Sequence, residues 1–226
     1  MKDLLRTFIV AIDGPNSSGK SSLAKELAKR LNITYIDTGA MYRALGYYFL
    51  EKGYEMTDES ARLHMKEPKL EFGFKDGKTA VILDSKDISI DIRTPEIAMA
   101  ASNISKLLPV REYLVQLQRD MSKSKSVVME GRDIGTVVFP NAEVKIYLTA
   151  DIKTRALRRK EDYKKIGKEI ALDEVIAEIE KRDKQDMERE NSPLKVAEDA
   201  VVFDNSEMSF EETVEKALEI INEKVN

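Results

Sequence analysis

The sequence predicts an α/β fold in which helices cover both faces of a five-stranded parallel sheet, giving three layers. Short runs of strand character alternate with longer helical patterns, which is typical of strand–helix–strand units. The first of these runs passes directly into a glycine-containing loop and then into a helix. One short region of hairpin character interrupts the alternation. These observations predict a single α/β unit that carries a small antiparallel β insertion.

Composition limits the chemistry that the chain can carry. Its 226 residues, 42% of them hydrophobic, are enough for a full core. It has no cysteine, so Cys-ligated metals and thiolate nucleophiles are excluded, and its one histidine, His64, cannot form a cluster of histidine metal ligands. A net charge of -4 gives no basic surface for nucleic acid, and no run reaches the ~18 apolar residues of a membrane span. We expect a cytoplasmic monomer, without nucleic-acid or membrane partners, that uses carboxylates, lysines and arginines.

Five runs are the predicted strands of the parallel sheet. They are Phe8–Ile12, Thr34–Ile36, Ser126–Met129, Val144–Leu148 and Ala200–Phe203. Helical patterns such as Ala40–Leu50 and Val110–Met121 lie between them, and the capping box Ser209–Glu212 is predicted to begin the last helix. Because ligands of such sheets bind beyond the carboxyl ends of the strands, the residues that follow each strand are the candidate functional residues.

The first strand is followed by the sequence G-x-x-x-x-G-K-S. Backbone N–H groups of such a loop form an anion site at a helix N-terminus, Lys20 adds charge near the outer phosphates, and the Ser21 hydroxyl can ligate Mg2+. A turn between a strand and a helix can match this pattern by coincidence, but the flanking strand and helix favour a phosphate-binding P-loop. The residues assigned to it are Gly14, Pro15, Asn16, Ser17, Ser18, Gly19, Lys20, Ser21 and Ser22.

Polar residues also follow the second and third strands. After the second, Thr38 can cap the next helix, and Arg43 can lie on a solvated face of it. After the third come Glu130, Arg132 and Asp133, for which a structural ion pair is the simplest interpretation. Their position directly after a run of buried type favours a functional site instead.

Two arginine-rich segments follow the fourth strand. A helix would place Arg155, Arg158 and Arg159 on one side, and Arg182, Asp186 and Arg189 would share a face of the next helix. A charge run usually forms a solvated face. The occurrence of arginine groups on both sides of one loop favours a functional role.

The insertion lies between the second and third strands. The runs 69–74, 79–83 and 88–92 are predicted to form a small antiparallel sheet, with Asp76-Gly77 as the hairpin turn. Thr57-Asp58-Glu59 begins a predicted helix before it, and Thr94-Pro95-Glu96 begins another after it. The insertion is too small to fold alone, and it is either a lid or a decoration of the core.

With these motifs in order, the sequence resembles the bacterial-type cytidylate kinases (CMP kinases), a branch of the nucleoside monophosphate kinases. The matching segments span nearly the whole chain and are Ile12–Ser21, Asp37–Arg43, Val110–Glu112, Gly131–Pro140, and Arg182-Asp183 with Asp186 and Arg189. The P-loop is shared by many families, whereas the Gly131–Pro140 run and the order of all five segments are specific. The insertion also resembles the extended monophosphate-binding region of this type.

The resemblance implies transfer of the γ-phosphoryl group of ATP to CMP or dCMP, which gives CDP or dCDP and ADP. Lys20 and the loop amides would hold the ATP phosphates, and Ser21 with Glu130 would hold Mg2+. The implied lid arginines over ATP are Arg155, Arg158 and Arg159. The implied CMP-binding residues are Thr38, Tyr42, Arg43, Ser102, Arg111, Arg132, Asp133, Arg182, Asp186 and Arg189. The residues implied to be catalytic are Lys20, Arg132 and Arg189.

The implied base recognition rests on two of these residues. The Asp133 carboxylate would accept from the N4 amine of cytosine, and Arg111 would donate to O2 and N3. A kinase for UMP or dTMP and a P-loop switch that phosphorylates no small acceptor are the alternatives. The implied division of the chain is a core of residues 1–37, 95–154 and 171–226, a monophosphate-binding region of residues 38–94 and a lid of residues 155–170.

Overall fold

The computed structural model describes residues 7–75 and 78–225. The strands, in chain order, are β1 (Ile9–Asp13), β2 (Thr34–Asp37), β3 (Leu70–Lys75), β4 (Lys78–Leu83), β5 (Lys86–Asp87), β6 (Val127–Gly131), β7 (Val144–Thr149) and β8 (Val201–Asp204). The helices are α1 (Lys20–Leu31), α2 (Thr38–Lys52), α3 (Asp58–His64), α4 (Pro95–Ile104), α5 (Leu108–Ser122), α6 (Ile152–Lys165), α7 (Leu172–Glu188) and α8 (Phe210–Val225). None of these helices is long and apolar enough to cross a membrane, as far as the described residues extend.

The predicted α/β fold is confirmed. The main sheet has five strands in the order β2-β6-β1-β7-β8, and each predicted strand is present with bounds shifted by one or two residues. The β1–β7 and β7–β8 pairs are parallel, with Val10 opposite Val144 and Leu148 opposite Phe203. All five residues of β6 and four of the five in β1 are buried, as expected for central strands of a parallel sheet covered on both faces.

The chain divides into two compact units. Unit 1 is Met1–Ile33 with Val128–Asn226, and unit 2 is Thr34–Val127. In unit 1, α1 packs against α8, and α8 packs on β7. The capping box predicted for α8 is confirmed, since the Ser209 N–H donates to the Glu212 carboxylate and the Glu212 N–H donates to the Ser209 hydroxyl.

A helical hairpin of α6 and α7 carries the predicted lid segment. Its small core consists of Ala156, Tyr163, Val175 and Ile179, all of them buried. The Asp151 side chain caps the start of α6 by accepting from the Thr154 N–H. Its hydrogen bonds with the side chain and backbone of Thr154 lower the pKa of Asp151 to about 2. The hairpin therefore has packing of its own that sets the direction of the arginines on α6.

Helix capping in unit 2 corrects one prediction. The residue that caps α2 is Asp37, whose carboxylate accepts from the Ala40 N–H at 2.8 Å, and Thr38 is already the first helical residue. A carboxylate at this position stabilises the positive end of the helix dipole. The predicted starts of α3 and α4 are confirmed, because Thr57 and Thr94 accept from backbone N–H groups of their first turns.

The antiparallel insertion is confirmed, except for its third strand. β3 and β4 pair along their length and β4 pairs with β5, whereas the predicted strand at 88–92 is wrong. Ser89 donates twice to the Asp87 carboxylate and turns the chain after β5. Ile88 and Ile92 are then buried together, because the Ile92 N–H donates to the Ile88 carbonyl in a helical turn. The predicted Asp76-Gly77 turn lies outside the described residues.

Candidate active site

The P-loop is fixed by a contact that only glycine permits. A Cβ atom on Gly14 would lie 2.0 Å from the carbonyl oxygen of Leu148 in β7, and Gly14 has a φ of 150°. Ser17 and Gly19 also have positive φ values, so the loop curves tightly before α1 begins at Lys20. The loop therefore runs directly from the end of β1 into a helix N-terminus, which is the arrangement that binds phosphate.

The side chain of Lys20 lies inside this loop. It is 5% exposed, and its Nζ donates to the Pro15 carbonyl at 2.6 Å and to the Ser18 hydroxyl at 3.2 Å. Burial and, to a smaller extent, the nearby charge of Arg132 lower the pKa of Lys20 to about 7, although Glu130 and Asp13 oppose this shift. Negative charge brought next to Lys20 would therefore strongly favour the protonated ammonium form over the neutral amine.

Ser21 and Glu130 form an oxygen-rich pair beside the loop. The Ser21 hydroxyl donates to Oε1 of Glu130 at 2.7 Å, and Glu130 is buried at the end of β6. A hydroxyl and a carboxylate are ligands of the type that Mg2+ takes. These two residues therefore fit the role predicted for them.

Asp13 is a buried carboxylate that the predicted site did not include. It accepts from the backbone N–H groups of Ile134 and Gly135 at 2.8 and 2.7 Å, and so fixes the π-helical turn Ile134–Val138 that follows β6. Burial raises the pKa of Asp13 to about 6, although both hydrogen bonds lower it. The sequence signal that could have identified Asp13 is an acidic residue directly after the apolar run Ile9–Ile12.

Arg132 and Arg189 are each bound by a carboxylate. Nε of Arg132 donates to Asp186 at 2.8 Å, and Nη2 of Arg189 lies 3.6 Å from Asp133. Burial alone would raise the pKa of Asp186, but the charge of Arg132 holds it below its usual value. Arg189 follows the last residue of α7 and has an extended backbone, so the prediction that it shares a helix face with Asp186 is wrong. Its Nε instead donates to the Ser192 carbonyl at 2.7 Å.

Two of the three predicted lid arginines contact the P-loop. Arg155 donates to the Asn16 carbonyl at 3.1 Å, and Arg158 donates to the Ser18 carbonyl at 3.3 Å. Arg158 also donates to the side chain and to the backbone carbonyl of Asn205, which the sequence did not single out. Arg159 lies elsewhere, with its guanidinium 4.5 Å from the ring centre of Tyr163.

The predicted residues of unit 2 form two groups. Arg43 lies against the capping residue Asp37, with Nη2 at 3.3 Å from Oδ2. Arg111 is 3% exposed, donates to the Ser105 carbonyl at 3.1 Å and lies 5.6 Å from the ring centre of Tyr42. The contact between Arg111 and Tyr42 brings together two of the residues implied to bind CMP. Thr38 and Ser102 are also buried within this unit.

Comparisons with known proteins agree with this arrangement of motifs. The family model described as cytidylate kinase matches residues 10–223. A cytidylate kinase of Thermosipho melanesiensis is 48% identical over 215 residues, which cover 95% of this chain and 97% of that protein. A cytidylate kinase of Lactobacillus johnsonii is 46% identical over 216 residues, which cover 95% and 94%. The crystal structure of TT1252 from Thermus thermophilus is similar in fold, with a TM-score of 0.50 at 16% identity, over 98% of this chain and 99% of that one.

Proposed function

The chain belongs to the cytidylate kinase family, and from this membership we infer that it transfers the γ-phosphoryl group of ATP to CMP or dCMP. The products are CDP or dCDP and ADP. The observation that carries this conclusion is the family match over residues 10–223, which includes both the P-loop and the Gly131–Pro140 run. The reaction is an in-line displacement in which the enzyme contributes position and charge rather than covalent chemistry.

The donor site is assigned to the P-loop of unit 1. Its backbone N–H groups and the Lys20 ammonium bind the ATP phosphates, which replace Pro15 and Ser18 as partners of Nζ. The burial of Lys20 supports this role, because a charge acts more strongly on phosphate where water is excluded. The negative phosphates raise the pKa of Lys20 and keep it protonated.

Mg2+ is part of the proposal, and the Ser21–Glu130 pair fits it. The Ser21 hydroxyl would be a direct ligand, and Glu130 would hold water bound to the ion. Magnesium bound with ATP neutralises charge on the β- and γ-phosphates. The 2.7 Å hydrogen bond between the two side chains supports this assignment, since it already places both oxygens together.

The acceptor phosphate is assigned to Arg132 and Arg189, with Thr38 and Arg43 as the residues that the resemblance implies in unit 2. A monophosphate is ionised near neutral pH, so phosphoryl transfer to it needs no general base. The position of His64 is consistent with this, because its ring stacks on Tyr54 at 3.9 Å and bonds to Glu67. Arginine suits the acceptor since its planar donors match a phosphate dianion.

Cytosine recognition is assigned to Asp133 and Arg111. A carboxylate accepts from the exocyclic amine of cytosine, whereas the C4 carbonyl of uracil would face it with acceptors only. The burial of both side chains supports a role in discrimination, because a mismatched polar group cannot be compensated by water there. Arg182 and Asp186 are assigned to the sugar of the acceptor nucleotide. That the protein is a cytoplasmic monomer stays a prediction.

The experiment that tests this function is an acceptor panel with ATP and Mg2+. CMP, dCMP, UMP, dTMP and AMP are compared by their kcat/KM values, and we expect CMP and dCMP to be the preferred acceptors. Titration of CMP into the protein without ATP gives an independent result, because a nucleotide switch would have no acceptor site. A clear preference for UMP, or the absence of CMP binding, would refute the proposal.

A further inference from the structure

One peptide of the P-loop is held from both sides by charged residues of the helical hairpin. The N–H of Asn16 donates to Oδ1 of Asp183 at 2.9 Å, and the Asn16 carbonyl accepts from Nη1 of Arg155 at 3.1 Å. Nη1 also donates to Oδ2 of Asp183, so the three groups form a closed ring of hydrogen bonds. We call these residues the Asn16–Arg155–Asp183 cluster.

The cluster is buried and fixed to the end of β7. Asp183 is 6% exposed, Arg155 and Asn16 are each 9% exposed, and Nε of Arg155 donates to the Ala150 carbonyl at 3.0 Å. A buried ion pair is a poor means of stabilising a fold, because the desolvation of two charges offsets most of their attraction. Here each member of the ion pair also bonds to one side of the same loop peptide, Asp183 to the Asn16 N–H and Arg155 to the Asn16 carbonyl, and the pair thereby fixes the geometry of the loop.

Hydrogen-bonding capacity remains beside the loop. Within the described residues, Arg155 uses Nε and Nη1 but makes no hydrogen bond through Nη2. The Asn16 side chain adds a buried amide nitrogen, Nδ2, that has no partner in the same part of the chain. Donors left in this way at a P-loop are suited to phosphate oxygens.

We propose that Asp183 is a positioning residue for phosphoryl transfer, which holds the Asn16 peptide and the Arg155 guanidinium in the orientation that binds the ATP phosphates. The proposal rests on the proposed kinase function and extends it to a residue that touches neither substrate. Without the carboxylate, Arg155 loses the charge that orients it, and the single oxygen of an amide cannot replace both Oδ1, which accepts from the Asn16 N–H, and Oδ2, which accepts from Arg155. The donor site is affected first, because both groups lie at the P-loop.

The test is Asp183→Asn, which keeps the size of the side chain but places an amide beside Arg155. We expect the Kd of a non-hydrolysable ATP analogue and the KM for ATP to rise about tenfold, while the Kd of CMP changes by less than about twofold. Glu180→Gln is the matched control, since it removes a carboxylate from an exposed position on the same helix and should change neither constant. Binding of the analogue requires no acceptor, so this result is independent of whether CMP is the substrate.

A double variant separates positioning from a general loss of structure. Because Arg155 and Asp183 act through one ring, Arg155→Lys combined with Asp183→Asn should weaken binding of the ATP analogue no more than the worse single variant. Equal weakening of ATP and CMP binding by Asp183→Asn, or additive effects in the double variant, would overturn the proposal. If Asp183→Asn does not fold, Asp183→Glu is used instead, because it retains the charge. The proposal then requires that Asp183→Glu weaken the binding of ATP and not that of CMP.

Discussion

Replacing Lys20 by methionine should abolish phosphoryl transfer and at the same time stabilise the protein without nucleotide. The ammonium is buried, and its pKa falls from the ordinary 10.5 to about 7. At about 1.4 kcal/mol per pKa unit, the charged lysine opposes folding by about 5 kcal/mol below pH 7. The variant leaves the Pro15 carbonyl and the Ser18 hydroxyl without this donor, which costs about 1–3 kcal/mol. We therefore expect a net gain of about 2–4 kcal/mol in unfolding free energy.

The pH dependence identifies the cause of this gain. Between pH 7 and the unfolded pKa of 10.5, the unfolded chain binds a proton at Lys20 that the folded chain does not, so wild-type stability rises with pH. The Lys20→Met variant should lack this rise, and its advantage should shrink as the pH increases. Lys29→Met, an exposed substitution on the same helix, is the control, and its unfolding free energy should rise with pH as that of the wild type does.

The assay is urea denaturation without nucleotide, followed by circular dichroism at pH 6.5, 8 and 9.5. A Lys20→Met variant that is less stable than wild type at pH 6.5, or a wild-type stability that does not rise with pH, would refute the reasoning. In either case the hydrogen bonds of Nζ would outweigh the desolvation of its charge.

Three further predictions concern the nucleotides. ATP binding near pH 7 should be accompanied by uptake of a fraction of a proton, because the phosphates raise the pKa of Lys20. Calorimetry in buffers of different ionisation enthalpy measures this proton uptake. A binding enthalpy that does not depend on the buffer would contradict the prediction. Asp133→Ala should lower the preference for CMP over UMP by about 2 kcal/mol, as an unpaired polar group would, and an unchanged ratio of kcat/KM values would exclude base recognition by Asp133. Hydrogen exchange in residues 155–168 should slow when both nucleotides are bound, and unchanged exchange there would argue against lid closure.

The sequence predicted the elements well, because each strand and helix carries its own local signal. The run Val127–Met129 is apolar, as expected for a central strand, and the caps at Thr57 and Thr94 follow from side chains that accept from the next turn. The strand predicted at 88–92 is wrong because the alternating isoleucines resemble a strand, whereas Ile88 and Ile92, four residues apart, also fit one face of a helical turn that leaves Ile90 exposed. The hydrogen bonds of Ser89 to Asp87, which turn the chain after β5, are not visible in the pattern of apolar residues.

Within the site, the sequence located charged residues but not their partners. Asp183 lies next to Arg182 in a run of charged residues, and the pattern of that run could not show that the Asp183 side chain accepts from the P-loop. Asp13 likewise bonds to a turn 121 and 122 residues further along the chain. Such contacts depend on how β1 and the turn after β6 lie in the folded unit, and no local pattern records that.

The close approach of Gly14 to β7 limits how the P-loop can move during turnover. The backbone at Gly14 packs so closely on β7 that an added Cβ atom would meet the Leu148 carbonyl, and Asp13 just before it is bonded to the turn after β6. The start of the P-loop is therefore a fixed reference point within unit 1. Any rearrangement there on ATP binding must fall on side chains such as Lys20 and Arg158, whose present partners are loop carbonyls that water or phosphate can replace.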